Sequence, residues 1–365
     1  MKRTAYIVLL LALIFTFTSA AMAASETSAG LTLEEAQKQA LVNSRQAVID
    51  DLEIKAKETA LKQVKEDADM TGDTYGADAV LSARINKEVK PMQAEAALAV
   101  AKRAKKDNSE QLKLDVNSAF LDIFLAQKEL ENANKKLDFA KERLTMAETR
   151  YAAKTITEDD LKTAQYNVET KQLDVYSVQE KLKTLDMQLK NLLNQPLDGD
   201  VLAIAGKIEL QNLAEIDINK VVADYLETDT NTFKAAEAYK AVKKTMDLTE
   251  ALFKAGDKTY DDNRTGLETA SRDYADAKSS REVNIRNTYN DLLSLKDAAD
   301  LSAKYVILAG QKLNNVKIRY DKGLVSKDAY MAEQENYLDA EYANYKAING
   351  FNTKKAEFIY ITRPD

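Results

Sequence analysis

The feature that most constrains this chain is an apolar residue repeated in alternating steps of four and three over some forty residues. The pattern begins at Leu112, ends at Tyr151 and includes Ile123 and Leu137. Such a seven-residue period is typical of long α-helices that pack side by side as a coiled coil. The helix would be about 60 Å long from Leu112 alone, and longer if it begins near Pro91, a residue favoured in first helical turns. We therefore predict rods rather than a globular core.

The chain contains the same helical pattern twice. "VNSAFLDIF" from Val116 and "IRNTYNDLL" from Ile285 match at an offset of 169 residues. The openings "LTLEEAQKQALVNS" from Leu31 and "IDINKVVADYLETD" from Ile216 match at an offset of 185, so the second copy lacks 16 residues that the first contains. Two tandem copies of one unit are the economical interpretation of this self-similarity.

Each copy adds a returning helix whose apolar residues also recur every seven positions. The first row runs from Leu161 to Leu189, and a less regular row runs from Tyr330 to Phe358. The predicted fold class is therefore all-α, with two tandem copies of a long coiled-coil helical hairpin. We assign residues 24–200 to the first hairpin repeat, 201–215 to a linker and 216–365 to the second hairpin repeat.

A short break separates the two rods of each copy. Thr157 and Ser326 occupy equivalent positions after the break, and their hydroxyls suit an N-cap that accepts hydrogen bonds from free amides. Gly323 can adopt the positive φ with which many helices end. A hairpin turn explains these residues, but it leaves apolar Leu324 and Val325 at the tip of a rod, where they are unfavourable unless a partner covers them.

The doubled hairpin, the opening "LTLEEAQKQAL" and the tip "RYDKGLVSKD" resemble the TolC-like outer-membrane efflux proteins. In that family three chains form a tube of α-helices, and the hairpin tips meet a periplasmic adaptor or an inner-membrane pump. The resemblance implies a homo-oligomer, a trimer, and a tip that docks such a partner. At matching positions the second tip consists of Gly323, Leu324, Val325 and Ser326.

The first copy departs from the family pattern at its tip. Lys154 and Thr155 stand where the family favours glycine and leucine, which leaves Ile156 and Thr157 as its docking residues. The family also inserts a pair of transmembrane strands in each copy, and each strand needs about 9–11 residues of alternating character. Residues 67–91 and 254–266 contain no such alternation. We therefore predict a TolC-like helical barrel protomer without transmembrane β-strands.

The first residues have the pattern of an export signal. Lys2 and Arg3 precede an apolar run, and "SAAMAA" offers small residues for cleavage after Ala23, so residues 1–23 are predicted as a cleaved signal peptide. An uncleaved anchor is the alternative. The net charge of −7 argues against nucleic acid as a partner. The predicted location is the periplasm or cell envelope, and association with an outer membrane follows only from the resemblance.

The composition argues against catalysis. The chain contains no histidine and no cysteine, the commonest general base and the thiol nucleophile. Acidic clusters at residues 66–69 and 257–262 lack calcium-loop spacing, which favours solvated turns over weak cation sites. We predict no enzyme, no catalytic residue, no cofactor and no metal. The expected role is a duct or sleeve of an efflux or secretion system; the alternative is a structural coiled-coil scaffold of the cell envelope without transport activity.

Overall fold

The structure of the protein is a computed structural model, and residues 30–72 and 74–363 are described. The predicted signal peptide lies outside these residues. The described chain consists almost entirely of helices: α1 Leu33–Val42, α2 Arg45–Met70, α3 Ala77–Arg84, a π-helical segment Ile85–Val89, α4 Lys90–Ala152, α5 Glu158–Leu192, α6 Ile218–Tyr225, α7 Thr230–Glu250, α8 Lys258–Asp321 and α9 Lys327–Ile361. Helices α4 and α8 contain 63 and 64 residues and are each about 95 Å long.

Helix α4 begins at Lys90 with Pro91 in its first turn, as the sequence predicts. This start is not a free helix end, because α3 and the π-helical segment continue directly into α4. Proline has no amide hydrogen, and its ring crowds the carbonyl group one turn earlier. The π-helical segment lies in that preceding turn, where the Lys90 amide donates to the Ile85 carbonyl. A local π turn accommodates the proline without ending the rod.

The four longest hairpin helices form a single row. Helix α5 packs on α4, α4 packs on α9, and α9 packs on α8. The two hairpins therefore meet through α4 and α9, while α5 and α8 form the outer edges of the row. Because α4 contacts helices on several sides, it buries Phe120, Leu121 and Phe124 in addition to the predicted row.

The shorter helices extend the row beyond the ends of the returning helices. Helices α1 and α2 pack on α4, and α7 packs between α4 and α8. Asn43, after α1, donates a hydrogen bond to the carbonyl of Leu193 at the end of α5. Arg281 of α8 likewise bonds the carbonyl of Ile361, the last residue of α9, beside the start of α7. Each returning helix thus ends where the first helices of its own copy lie.

Helix boundaries follow the offsets seen in the sequence. Helices α5 and α9 both contain 35 residues and begin and end 169 positions apart. Helix α7 is five residues shorter than α2, which has 26. Helix α8 begins at the position equivalent to Val89, so α3 has no counterpart in the second copy. The 16 residues that the second copy lacks are therefore lost from two places: the end of the helix equivalent to α2 and the segment equivalent to α3. The unit boundaries at residues 200 and 215 stay a prediction.

Three apolar clusters hold the helices together. The first surrounds Val116, Ile123 and Leu189, the second surrounds Leu292 and Phe351, and the third surrounds Val89 and Leu248. The segment between α5 and α6 is extended and runs beside the residues before α1, where Leu31 and Ile204 form an isolated β-bridge. The described residues contain no β-strand, in agreement with the all-α prediction. Among them, no helix is both long enough and apolar enough to cross a membrane.

Candidate docking tips and open helix edges

The two hairpin turns have the same backbone geometry although their residues differ. Lys154 and Gly323 occupy equivalent positions and adopt φ values of 57° and 70°. The Lys154 amide donates to the Tyr151 carbonyl over 2.8 Å, and the Gly323 amide donates to the Tyr320 carbonyl over the same distance. In each turn the next amide donates to a carbonyl five residues earlier, as expected for a Schellman motif.

The helix that follows each turn begins with the predicted cap. The Thr157 hydroxyl accepts from the Asp160 amide, and the Asp160 carboxylate accepts from the Thr157 amide over 2.9 Å. This reciprocal pair holds the pKa of Asp160 below its ordinary value, because the Thr157 hydroxyl and amide both stabilise the charged carboxylate. The Ser326 hydroxyl caps α9 by accepting a hydrogen bond from the amide of Ala329. The alanine side chain cannot accept a bond from the Ser326 amide, so this turn has only half of a capping box.

The predicted tip residues all lie at one end of the molecule. Leu324 is 66% exposed at the second tip, whereas Val325 is half-buried. In the first tip the equivalent positions are Thr155, which is exposed, and Ile156, which is half-buried. One apolar residue of each turn therefore packs against its own hairpin, and only the second turn presents a large apolar side chain to solvent.

Charged residues near the tips join the two hairpins, and they are not among the predicted site residues. Arg143 of α4 donates to Asp328 over 2.7 Å and to Glu335 over 2.6 Å, both on α9. Burial lowers the pKa of Arg143, but the bonds to the two carboxylates outweigh burial and raise it overall. Lys327 pairs with Glu142 beside them. Arg143 belongs to a row of charges at seven-residue spacing with Lys136 and Arg150, which is the signal that could have indicated this contact.

Both outer edges of the helix row, α5 and α8, expose several apolar side chains. On α5, the most exposed of these are Tyr166, Leu173 and Tyr176. On α8, three residues one helical turn apart face solvent: Leu301 at 69% exposure, Tyr305 at 53% and Leu308 at 45%. No group of acidic side chains among the described residues is arranged to hold a metal ion.

Solved structures share this arrangement of helices. The CmeC outer membrane channel of Campylobacter jejuni is 12% identical to this chain, with 90% of this chain and 85% of CmeC covered and a TM-score of 0.68. CusC, whose structures concern transmembrane channel formation, is 12% identical, with coverage of 91% and 92% and a TM-score of 0.68. This chain has the TolC-like helical fold.

The outer membrane protein VceC of Vibrio cholerae has the same fold. It is 13% identical, with 90% of this chain and 95% of VceC covered and a TM-score of 0.63. Neither protein-family models nor curated proteins gave a match to the sequence. The resemblance drawn from the repeated hairpin and its tip is thus confirmed at the level of the fold, over about nine-tenths of the chain.

Proposed function

We propose that this protein is exported to the cell envelope and assembles there into a helical duct of an efflux or secretion system. The observation that carries the proposal is the pair of unpaired edges, α5 and α8, on a row of helices that has the TolC-like fold. If the α5 edge of one copy packs on the α8 edge of the next, the contact joins two different surfaces. Such contacts generate a ring when the rotation from copy to copy adds up to a full turn. Three copies, as the sequence resemblance implies, would enclose a tube.

The assembly is tested by measuring the mass of the purified full chain with size-exclusion chromatography and light scattering. We expect a mass of three chains for the wild type and of one chain for Leu301→Glu, which puts a charge into the α8 edge. Met70→Glu is the control, because Met70 is 75% exposed at the end of α2 and lies on neither edge. A wild type that is monomeric at all concentrations would rule out the duct.

The hairpin tips are proposed to dock a periplasmic adaptor or an inner-membrane pump. Gly323, Leu324, Val325 and Ser326 would form the main contact, and Ile156 and Thr157 a weaker one. Leu324 supports this assignment, since it is a large apolar side chain exposed at the end of a rod.

Docking is tested with Leu324→Glu and with Thr155→Glu, its equivalent in the first turn. We expect Leu324→Glu to reduce binding of the adaptor or pump by about tenfold or more and Thr155→Glu to reduce it less, since one buried leucine contributes about 1.5–3 kcal/mol. An assembled protein that binds no such partner, with or without these changes, would favour the structural scaffold of the envelope instead.

A further inference from the structure

Helix α5 carries a second row of residues at seven-residue spacing, on the side that faces away from α4. Its members are Tyr166, Leu173, Glu180 and Met187. Each stands about half a turn around the helix from Leu182, which is buried in the first apolar cluster. The three apolar members are exposed. The outer edge of α5 therefore presents large apolar side chains, and one acidic residue interrupts them.

Helix α8 carries a corresponding row on the side that faces away from α9. Its members, which are spaced three or eleven positions apart and so share one helical face, are Leu293, Lys304, Ile307 and Ile318. This face lies about half a turn from Ser302, whose hydroxyl donates to a side chain of α9 over 2.9 Å. The three apolar members are exposed. The outer edge of α8 is thus apolar as well, and one basic residue interrupts it.

Contacts across the helix row show how the two edges are aligned along the rods. Three side-chain contacts cross the row near one level: Lys181 of α5 with Glu129 of α4, Asn132 of α4 with Asp339 of α9, and Asn344 of α9 with Ser302 of α8. A helix rises about 1.5 Å per residue, so the few residues between successive contacts place Lys181 and Ser302 within about one helical turn of the same height. These two residues define a common reference level.

The apolar members nearer the tips lie at similar heights above this level on both edges. Helix α5 leads away from the tips and α8 leads toward them, so the two edges are antiparallel. Tyr166 and Ile318 each lie about 23 Å nearer the tips than the reference level. Leu173 and Ile307 lie about 12 Å and about 8 Å nearer the tips. Apolar side chains of the two edges are therefore matched in height.

The charged members of the two rows lie at the reference level itself. Glu180 and Lys304 are within about 3 Å of it, whereas Met187 and Leu293 lie about 9 Å and about 14 Å farther from the tips. Lys304 is exposed and has no carboxylate partner in the part of the chain that the structure describes. Glu180 bonds Lys183 through one carboxylate oxygen, which leaves its other oxygen open. Opposite charges that face each other across packed helices favour one pairing over others.

We propose that the α5 row of one copy packs on the α8 row of the next copy at equal height, with Glu180 facing Lys304. This inference rests on the proposed assembly and adds the register of its contact. A contact at equal height causes no displacement along the rods from one copy to the next. Neighbouring copies are then related by rotation alone, so the assembly closes into a ring and does not grow into a helical filament.

The register is tested by thiol cross-linking of the purified full chain, which contains no cysteine of its own. We expect Tyr166→Cys combined with Ile318→Cys to form covalent multimers of up to three chains with a short bismaleimide, as seen on a denaturing gel. A link within one copy cannot form, because α4 and α9 lie between α5 and α8. Tyr166→Cys with Leu293→Cys is the control, since these two positions differ in height by about 36 Å.

The outcomes separate the register from the assembly itself. If the control pair cross-links as strongly as the matched pair, the proposed register is wrong. Failure of the matched pair to cross-link, while light scattering still gives the mass of three chains, would also overturn the register but leave the duct intact. A wild type that is monomeric at all concentrations would overturn both.

An exchange of charges tests the contact between Glu180 and Lys304. Glu180→Lys places two like charges opposite each other, so the concentration at which half of the assembly dissociates should rise by about threefold or more. Adding Lys304→Glu to the same chain should reverse most of this rise. Asp174→Lys is the control with the same change in charge, on an exposed flank of α5 outside the row. A double variant that dissociates more readily than Glu180→Lys alone would contradict the facing pair.

Discussion

Helices α5 and α9 have the same length and equivalent ends, yet they hold the segment that connects the two hairpins by different means. At the end of α5, Lys190 and Asp186 form a buried ion pair over 2.8 Å, with each side chain about 5% exposed. Lys190 also donates to the carbonyl of Asp200, and Asp186 accepts from the amide of Leu202. On α9, one neutral residue, Asn352, accepts from the Gln211 amide and donates to the Glu209 carbonyl.

The positions equivalent to the ion pair show how far the copies have diverged. Lys355 stands at the place of Asp186 and donates to the Asn212 carbonyl, while Ile359 stands at the place of Lys190 and is largely exposed. The helix lengths therefore do not depend on one particular anchor. Any side chain that satisfies the backbone groups of the extended segment can hold it, since these groups are unfavourable when buried without partners.

We expect the largest change in stability when one partner of the ion pair on α5 is removed. Lys190→Met leaves the carboxylate of Asp186 buried without its cation, so we expect a loss of about 3–5 kcal/mol in the free energy of unfolding. Lys183→Met, on the exposed face of α5, is the control and should leave stability almost unchanged, because solvent screens its ion pair with Glu180. Urea denaturation measures both.

The double variant Asp186→Leu with Lys190→Met distinguishes an uncompensated charge from a general packing defect. It removes both charges, so we expect it to be more stable than Lys190→Met alone. A double variant less stable than both Lys190→Met and Asp186→Leu alone would show that the pair is held mainly by packing and backbone contacts.

The neutral anchor on α9 should have a smaller effect. Asn352→Leu leaves the Gln211 amide and the Glu209 carbonyl without their partner, for which we expect a loss of about 1–3 kcal/mol. Asn336→Leu provides a matched control on an exposed face of α9. In hydrogen exchange, the Gln211 amide should lose protection in the Asn352→Leu chain only; unchanged protection would mean that Asn352 does not hold the segment.

The two hairpin turns offer a reciprocal test of backbone conformation. Gly323→Lys introduces a side chain at positive φ and should destabilise the protein by about 1–2 kcal/mol, whereas Lys154→Gly relieves the same conformation and should stabilise it by somewhat less. No atom lies within 4 Å of a Cβ added at Gly323, so the change acts through the backbone rather than a clash.

Thermal unfolding of the two single variants and of Gly323→Asn tests this prediction. Asparagine tolerates positive φ better than lysine, so Gly323→Asn should lose less stability than Gly323→Lys. Shifts of the same sign in Gly323→Lys and Lys154→Gly would show that the two turns are not equivalent.

Much of the fold follows from the periodicity of the sequence. The second rod shows this most clearly, because its buried residues Ile285, Leu292 and Ala299 recur every seven positions and stand 169 positions after members of the first apolar row. On α4 the same reasoning misses Phe120 and Phe124, since a single seam describes one contact and α4 has several neighbours. Tyr151 ends the predicted row but is 42% exposed.

The turns were predictable and the surfaces between hairpins were not. Capping chemistry identifies Thr157 and Ser326 because it depends on residues three positions apart. The positive φ of Lys154 had no local signal, since the residue type does not favour it. The pairing of Arg143 with Glu335 depends on which helices become neighbours, and periodicity alone does not specify neighbours across 192 residues.

The smallest expected effect comes from the single difference in capping between the turns. Asp160 has a lowered pKa in the folded chain because its carboxylate accepts bonds from the Thr157 hydroxyl and amide. Its stabilising effect is therefore complete above its unfolded pKa of about 4, and it is lost as the pH falls through the lowered folded pKa. The second turn has Ala329 at this position and lacks that dependence. Between about pH 5 and pH 2, protection of the first-turn amides, corrected for intrinsic exchange, should therefore fall relative to the second turn. Thr157→Ala should abolish the difference, whereas equal acid sensitivity of both turns in the wild type would contradict the capping-box explanation.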